Sequence, residues 1–292
     1  MRKNIKGSRL LLKKDILLFL PSLICLISIV IYPLIYGFYL TFLNIETGSP
    51  NINFIGLENY KWMVKEPRFL SSLLKTLYFT ASSLCLSLSF GLLLGVLLSS
   101  EVKGVEFFRI IMVIPFSVTP IVTGLAFKFL FNYDFGLINY FLSFLNLKTD
   151  FLGNPNLALP ATILVDAWQW TPFVALIILA GMLSIPKTYI EAAKIDGASD
   201  WYIFRHITFP FLIPLIAVII FIRFMDAFRA FDVIFMMTKG GPGVSTEVLS
   251  IYAWRYAFHF FNLSKGATIA FFMLFFIEVS CWFFFRFVMR VK

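Results

Sequence analysis

Long apolar runs separated by short polar stretches divide this chain. Apolar positions dominate residues 16–40, 73–98, 107–131, 158–183, 211–231 and 267–288. Each run approaches or exceeds the roughly 20 residues that a helix needs to cross the hydrocarbon core at 1.5 Å rise per residue. Inside a bilayer the backbone must satisfy its own hydrogen bonds, so the runs are read as helices. The pattern predicts an all-α integral membrane protein with six transmembrane helices in a single membrane domain over residues 16–290. The first run is too long for a signal-peptide core and has no small-residue cleavage site, so it is expected to remain as a span. Pro21 and Pro33 are expected to bend it without ending it. Pro115, Pro120 and Gly124 in the third run imply one kinked helix packed against protein.

The polar stretches alternate between two faces. Residues 41–70, with Gly48, Pro50, Gly56 and Pro67, fall on one face, as do residues 232–265. The other face receives residues 99–109 and the stretch from Pro186 to Pro210. That stretch reads as a compact helix-turn-helix outside the bilayer. Pro186 suits the first turn of a helix, where its missing N–H has no partner to lose. Asp196-Gly197 supplies the stop, because glycine tolerates the left-handed backbone that ends a helix. Ser199 or Asp200 is placed to cap a second helix through WYIFRHI, which Pro210 is expected to close.

Composition excludes a soluble fold: 60% of the 292 residues are hydrophobic, 37 are Phe, and 14% are charged. The net charge of +9 raises the question of nucleic acid. No basic stripe with interleaved aromatics accompanies it, and the cations gather beside apolar runs, where they act as topology determinants. Residues 1–15 form a basic tail with Arg2, Lys3, Lys6, Arg9, Lys13 and Lys14, which the positive-inside rule holds in the cytoplasm. Six spans then bring the C-terminal Arg286, Arg290 and Lys292, and the 186–210 loop, to the same side. Cys25, Cys85 and Cys281 sit in apolar runs without metal-ligand spacing, so neither a disulfide framework nor a metal site is indicated.

No catalytic constellation is legible. KGGPGVST, residues 239–246, is not a nucleotide-cradling Gly-rich loop followed by Gly-Lys-Ser/Thr. His206 and His259 belong to opposite faces, and no nucleophile elbow or nucleophile–base pair is present. Charges inside the spans carry more information. Arg223 lies about 18 Å along the fifth helix from its inner end, near the bilayer middle, where a charge must face protein or water. Arg223, Asp226, Arg229 and Asp232 alternate in sign every three residues, which fits either a structural ion-pair ladder or a polar pathway. On the fourth span Thr162, Asp166, Gln169 and Phe173 share one face, with Trp168 and Trp170 beside them. Asp166, Gln169, Trp170, Arg223 and Asp226 are the candidates to line a polar path across the membrane, with aromatic rings beside the polar groups.

Glu191-Ala192-Ala193, three residues, Gly197, nine residues, Ile207, one residue, then Phe209 and Pro210 resembles the cytoplasmic EAA loop of permease subunits in bacterial ABC importers. Phe209 stands where that family has leucine. FIGLENY, residues 54–60, and the segment 221–243 with Phe231, Asp232, Thr238, Gly240, Gly241 and Pro242 are similar to the carbohydrate group of these permeases. The resemblance implies a bacterial inner-membrane subunit that carries a sugar or sugar derivative with a second homologous permease, two ATP-binding ATPase subunits and an extracytoplasmic solute-binding protein. It also implies that this chain binds no cofactor, ATP and Mg being held by the ATPases. Glu191, Ala192, Ala193, Asp196, Gly197, Ile207 and Pro210 become the ATPase-coupling loop, with Asp196 fixing the turn or touching the partner. Gly240, Gly241 and Pro242 become either a plain exit turn or a contact for the binding protein. The alternative is an ion-gradient-driven secondary transporter, with Asp166, Arg223 and Asp226 as its coupling site.

Overall fold

A computed structural model describes residues 19–45, 52–100 and 103–288. The basic tail, Gly48, Pro50, Arg290 and Lys292 lie outside the described residues. Packing divides the described residues into two compact units, a division that hydropathy does not show: one comprises those up to Glu66 with Ala253–Phe271, the other those of Pro67–Tyr252 and from Phe272 on.

In the first unit, helix α1 covers Phe19–Leu40 and exposes apolar side chains all round. Two-residue strands β1 (Leu43–Asn44) and β2 (Asn53–Phe54) follow, paired antiparallel with Leu43 opposite Phe54. This is the only sheet among the described residues, so the all-α class holds. Helix α2 covers Glu58–Lys65. Buried Asn59 donates both amide protons, to the Thr41 carbonyl at 2.8 Å and the Leu43 carbonyl at 2.9 Å, and so locks the FIGLENY segment onto the end of α1.

The second unit holds α3 (Pro67–Leu98), α4 (Val105–Ser117), α5 (Pro120–Leu130), α6 (Leu137–Ser143), α7 (Pro155–Ser184), α8 (Lys187–Ile195), α9 (Asp200–Phe228), α10 (Asp232–Thr238) and α11 (Leu249–Trp254) as far as Tyr252. The last helix, α12, covers Leu263–Val288. Helix α7 is the central one, more deeply buried than any other span. It is contacted by α3, α4, α5, α9 and α10.

Small residues set the closest approach. Helix α3 buries Ser83, Ser87, Gly91 and Gly95, spaced by four, along one stripe. A Cβ at Gly91 would lie 2.5 Å from Val174 Cβ, and one at Gly95 would lie 2.7 Å from Ile178 Cγ2. Ser83 reaches Asp166 on the same helix. The contacts advance together along both chains, so α3 and α7 run parallel. Helix α9 runs against them, since Gly181 meets Leu212 and Leu215 while Asp166 meets Arg223. We expect Gly91→Leu to drive α3 and α7 apart and lower the thermal midpoint of the detergent-solubilised protein, overpacking costing about 1–3 kcal/mol. Leu93→Ala, at an exposed position on the same helix, should move it far less; equal effects would mean that the stripe does not set the packing.

The parallel pairing also settles what lies between. A chain that leaves α3 at one face and enters α7 at the other must cross back between them. Five helices are long and apolar enough to span, and α4 with α5 makes the sixth crossing as a pair bent by 95°. The third span is therefore a broken one and not a kinked helix. Pro120 pushes the preceding residue out of the α region, and Thr119 is extended at φ −66°, ψ 144°, as is Val118 at φ −81°, ψ 137°.

A second correction concerns Pro210, which does not close the second loop helix. Helix α9 starts at Asp200 and continues through Pro210 and Pro214 as the fifth span. A π-turn over Phe204–Thr208, in which the Phe209 N–H reaches the Phe204 carbonyl, widens the helix just where Pro210 would press on the carbonyl four residues back.

Candidate functional site

Three helices bring one polar side chain each to the same depth: Ser83 from α3, Asp166 from α7 and Arg223 from α9. The Arg223 side chain is fully buried and forms a 2.6 Å ion pair with Asp166. Its Nη2 also donates to Ser83 Oγ at 3.0 Å, while Ser83 Oγ donates to Asp166 Oδ2. One turn further on, Asp226 accepts from Arg223 Nη1 at 3.2 Å and from the exposed Arg229 at 3.4 Å. The guanidinium carbon lies 4.6 Å from the centre of the Trp170 ring. A buried arginine survives in an apolar interior only with this kind of pairing. Apolar clusters enclose the charges on both sides, with Val174, Ile178, Leu212 and Ile219 beyond one end and Phe79, Leu159, Ile163 and Ile234 beyond the other.

Beside the ion pairs lies a cavity of about 270 Å³, walled by Asp166, Trp170, Asp226, Arg229, Asp232 and Pro120. Of the five path candidates, Asp166, Trp170 and Asp226 line it and Arg223 stands behind them. Gln169 turns elsewhere: its Nε2 donates to the Val118 carbonyl at 2.7 Å, at the α4–α5 break, and its Oε1 has no protein partner. The alternating series forms a ladder through Arg223, Asp226 and Arg229. Asp232 leaves it and sits on the first turn of α10, on the cavity wall. Ser83 was not singled out from the sequence, although its place in the four-residue stripe was visible.

The start of α3 holds another ion pair that the sequence did not reveal, half-buried on the arginine side. Arg68 grips Glu247 through two hydrogen bonds of 2.6 and 2.8 Å, and the Glu247 side chain is fully buried. Lys75 donates to the Val244 carbonyl, and Thr76 accepts from the Leu249 amide. These contacts tie the segment after α10 to α3. Within it Gly240 is buried, Gly241 and Pro242 are half-buried, and Thr246 Oγ1 donates to the Gly241 carbonyl at 3.0 Å. Removing the guanidinium with Arg68→Ala should raise hydrogen exchange across residues 240–249 about tenfold, equivalent to 1.4 kcal/mol of local opening. Exchange equal to wild type would show that the pair does not hold the segment.

The loop after α7 has its own local logic. At the end of α8, the Ala198 N–H bonds the Ala193 carbonyl at 2.9 Å and the Gly197 N–H bonds the Lys194 carbonyl at 3.1 Å. Gly197 stands between at φ +82°. This is a Schellman stop, which needs a residue free to be left-handed. Ser199 Oγ accepts from the Tyr202 N–H and caps α9. Glu191, Ala192, Asp196, Gly197 and Pro210 are exposed; Ala193 and Ile207 are half-buried. Around them Tyr189, Ile195, Trp201 and Tyr202 are also exposed, Ile195 to 87%. Together these side chains form an apolar patch on the surface of an otherwise polar loop. Among the described residues no group of three His, Cys, Asp or Glu is placed to hold a metal.

Over residues 87–292 the sequence matches the family described as binding-protein-dependent transport system inner membrane component. It is 36% identical over 245 residues to the trehalose/maltose transport system permease protein MalF of Thermococcus litoralis, covering 84% of this chain and 83% of that protein. It is 35% identical over 267 residues to the sulfoquinovosyl glycerol transport system permease protein SmoG of Agrobacterium fabrum, covering 90% and 85%. Among solved structures, a chain of a bacterial alginate ABC transporter in complex with alginate pentasaccharide-bound periplasmic protein superposes with a TM-score of 0.83 over 99% of this chain and 97% of its own. At 22% identity that likeness concerns the fold.

Proposed function

The chain belongs to the family of inner-membrane components of binding-protein-dependent transport systems, and from that premise we propose that it is the ABC-importer permease that forms, with a second homologous permease, a translocation path for a sugar or sugar derivative. The observation that carries the choice of cargo is the cavity in which carboxylates and an arginine stand beside Trp170. Carboxylates accept hydrogen bonds from hydroxyls, and an indole offers carbon surface to a sugar ring. Relatives named for sugar transport, aligned over more than four-fifths of the chain, support the same class.

An extracytoplasmic binding protein delivers the sugar to the face that carries residues 229–249, as the alginate transporter's complex with a periplasmic protein suggests by analogy. Two ATPase subunits hold ATP and Mg and carry out hydrolysis, which this chain does not. They dock on the α8 loop, where Ala192 and Ala193 permit close approach and Glu191 offers a carboxylate to a basic group. Both termini and this loop are cytoplasmic: α7 and α3 end at the same face, where Lys103, Arg109, Lys187, Lys194 and Arg205 gather. ATP binding closes the ATPases, the loop moves with them, and the spans open outward. Nothing among the relatives favours the ion-gradient alternative.

Co-purification tests this. The solubilised chain should bring down a P-loop ATPase and a second multi-span permease, and Glu191→Ala should lower ATPase recovery about tenfold, the worth of one charge-assisted hydrogen bond at 1.4 kcal/mol. Purification of the wild type alone or as a homo-oligomer overturns the assignment.

A further inference from the structure

We propose that the cavity beside Arg223 is a charge-selective subsite that accepts uncharged sugar rings and rejects anionic ones, with Asp226 and Asp232 as its specificity-determining residues; this rests on the importer function proposed above. The cation nearest the cavity is spent within the protein. Arg223 is fully buried, held at 2.6 Å by Asp166 and at 3.2 Å by Asp226, with Trp170 over its face. What the cavity sees is the outer side of those carboxylates. Asp232 adds a third on the first turn of α10, where it belongs to no ion pair. The only cation on the wall is Arg229, whose side chain is 70% exposed and already shared with Asp226 at 3.4 Å. Three carboxylates therefore stand against two guanidiniums, Arg223 behind the wall and Arg229 on it, and the net negative charge is less screened beside Pro120, Trp170, Phe231 and Val233 than in water.

A neutral sugar suits such a wall. Its hydroxyls donate to Asp226 and Asp232, and it brings no charge to be repelled. A phosphate, sulfonate or uronate would meet this net negative wall, with Arg223 already held by Asp166 and Asp226 and Arg229 already shared with Asp226. At about 270 Å³ the cavity sits at the lower limit of small-molecule sites, roughly 300 Å³, so it takes one ring of a longer sugar.

The test uses the assembled transporter with Cys25, Cys85 and Cys281 replaced by alanine and a single thiol introduced by Ala230→Cys on the cavity wall. Labelling rates are compared for a trimethylammonium and a sulfonate methanethiosulfonate reagent. Relative to a free thiol in solution, the cationic reagent should be favoured at least tenfold. Asp232→Asn, a change at an exposed residue outside the ion pairs, should bring the ratio several-fold back, and Asp226→Asn further. A ratio equal to that of the free thiol overturns the proposal. In the same protein, a neutral set of maltotriose, trehalose and raffinose should protect the thiol where trigalacturonate at equal concentration does not. Equal protection by the anionic sugar, or protection by none, also overturns the subsite. Either result leaves the permease assignment to be judged separately, by whether the ATPases co-purify.

Discussion

Arg223→Met will destabilise the folded protein more than any other single change in the spans, by about 3–5 kcal/mol, because removing one partner leaves buried charge uncompensated. Asp166 and Asp226 both lean on that guanidinium, and Asp166 has only Ser83 as a second polar partner. The companion variant Arg223→Met/Asp166→Asn should recover most of the loss. Asn keeps a hydrogen bond to Ser83, and Asp226 keeps Arg229. Thermal midpoints of the three proteins in one detergent measure this. A single variant as stable as wild type would mean that water reaches the pair and that it is no buried ladder. The rescued double variant then separates two roles that the sequence left open. If the cluster only holds α3, α7 and α9 together, transport returns with stability. If it also shapes the substrate path, a folded double variant remains deficient in uptake, and that is the expected result.

Hydropathy alone showed an all-α membrane protein with long apolar runs, because the bilayer imposes a minimum length on each helix, but it showed neither the break in the third run nor the start of the fifth helix at Asp200. The local stop at Gly197 and the cap at Ser199 were legible too, since each acts within a few residues of itself, but the second loop helix runs on as the fifth span. What escaped were consequences of register between distant helices. Ser83 and Asp166 meet because α3 and α7 run parallel in step, which no local pattern encodes. Glu247 looked like a residue of an exposed outer segment, yet it is buried under Arg68. The shared face of Thr162, Asp166, Gln169 and Phe173 was real but undirected. Helix α7 is covered on most sides, so Asp166 meets α9 while Gln169 meets the α4–α5 break. The two prolines were misjudged in opposite directions. Pro120 broke a helix that was expected to bend, and Pro210 was absorbed by a π-turn where a stop was expected.

Gly197→Pro will uncouple transport without unfolding the protein. Proline fixes φ near −65°, whereas Gly197 sits at +82°, so the turn cannot form. The Gly197 N–H that closes on Lys194 also disappears, and the Ala198 bond to Ala193 loses its geometry. Helix α8 would then leave at another angle and turn Glu191, Ala192 and Ala193 away from the ATPase contact proposed above. The spans lose nothing, because the residues of the turn are exposed or only half-buried and make no buried contact with the spans' core. Gly197→Ala is the graded control: a left-handed alanine costs about 1–2 kcal/mol, so roughly a tenfold loss is expected there and a loss of 100-fold or more for proline. ATP hydrolysis stimulated by loaded binding protein in reconstituted vesicles reads the effect, while the detergent-extracted yield reports the fold. Wild-type stimulation in both variants would remove this turn from the coupling route. The reason to expect otherwise is mechanical. Helix α9 begins three residues after Gly197 and runs unbroken to Phe228, so about 35 Å of continuous helix, at 1.5 Å per residue, connects Asp200 to Arg223. In the proposed cycle a displacement imposed at the loop would reach the ion pairs beside the cavity along that rod, and the angle fixed by Gly197 would decide whether it is imposed at all.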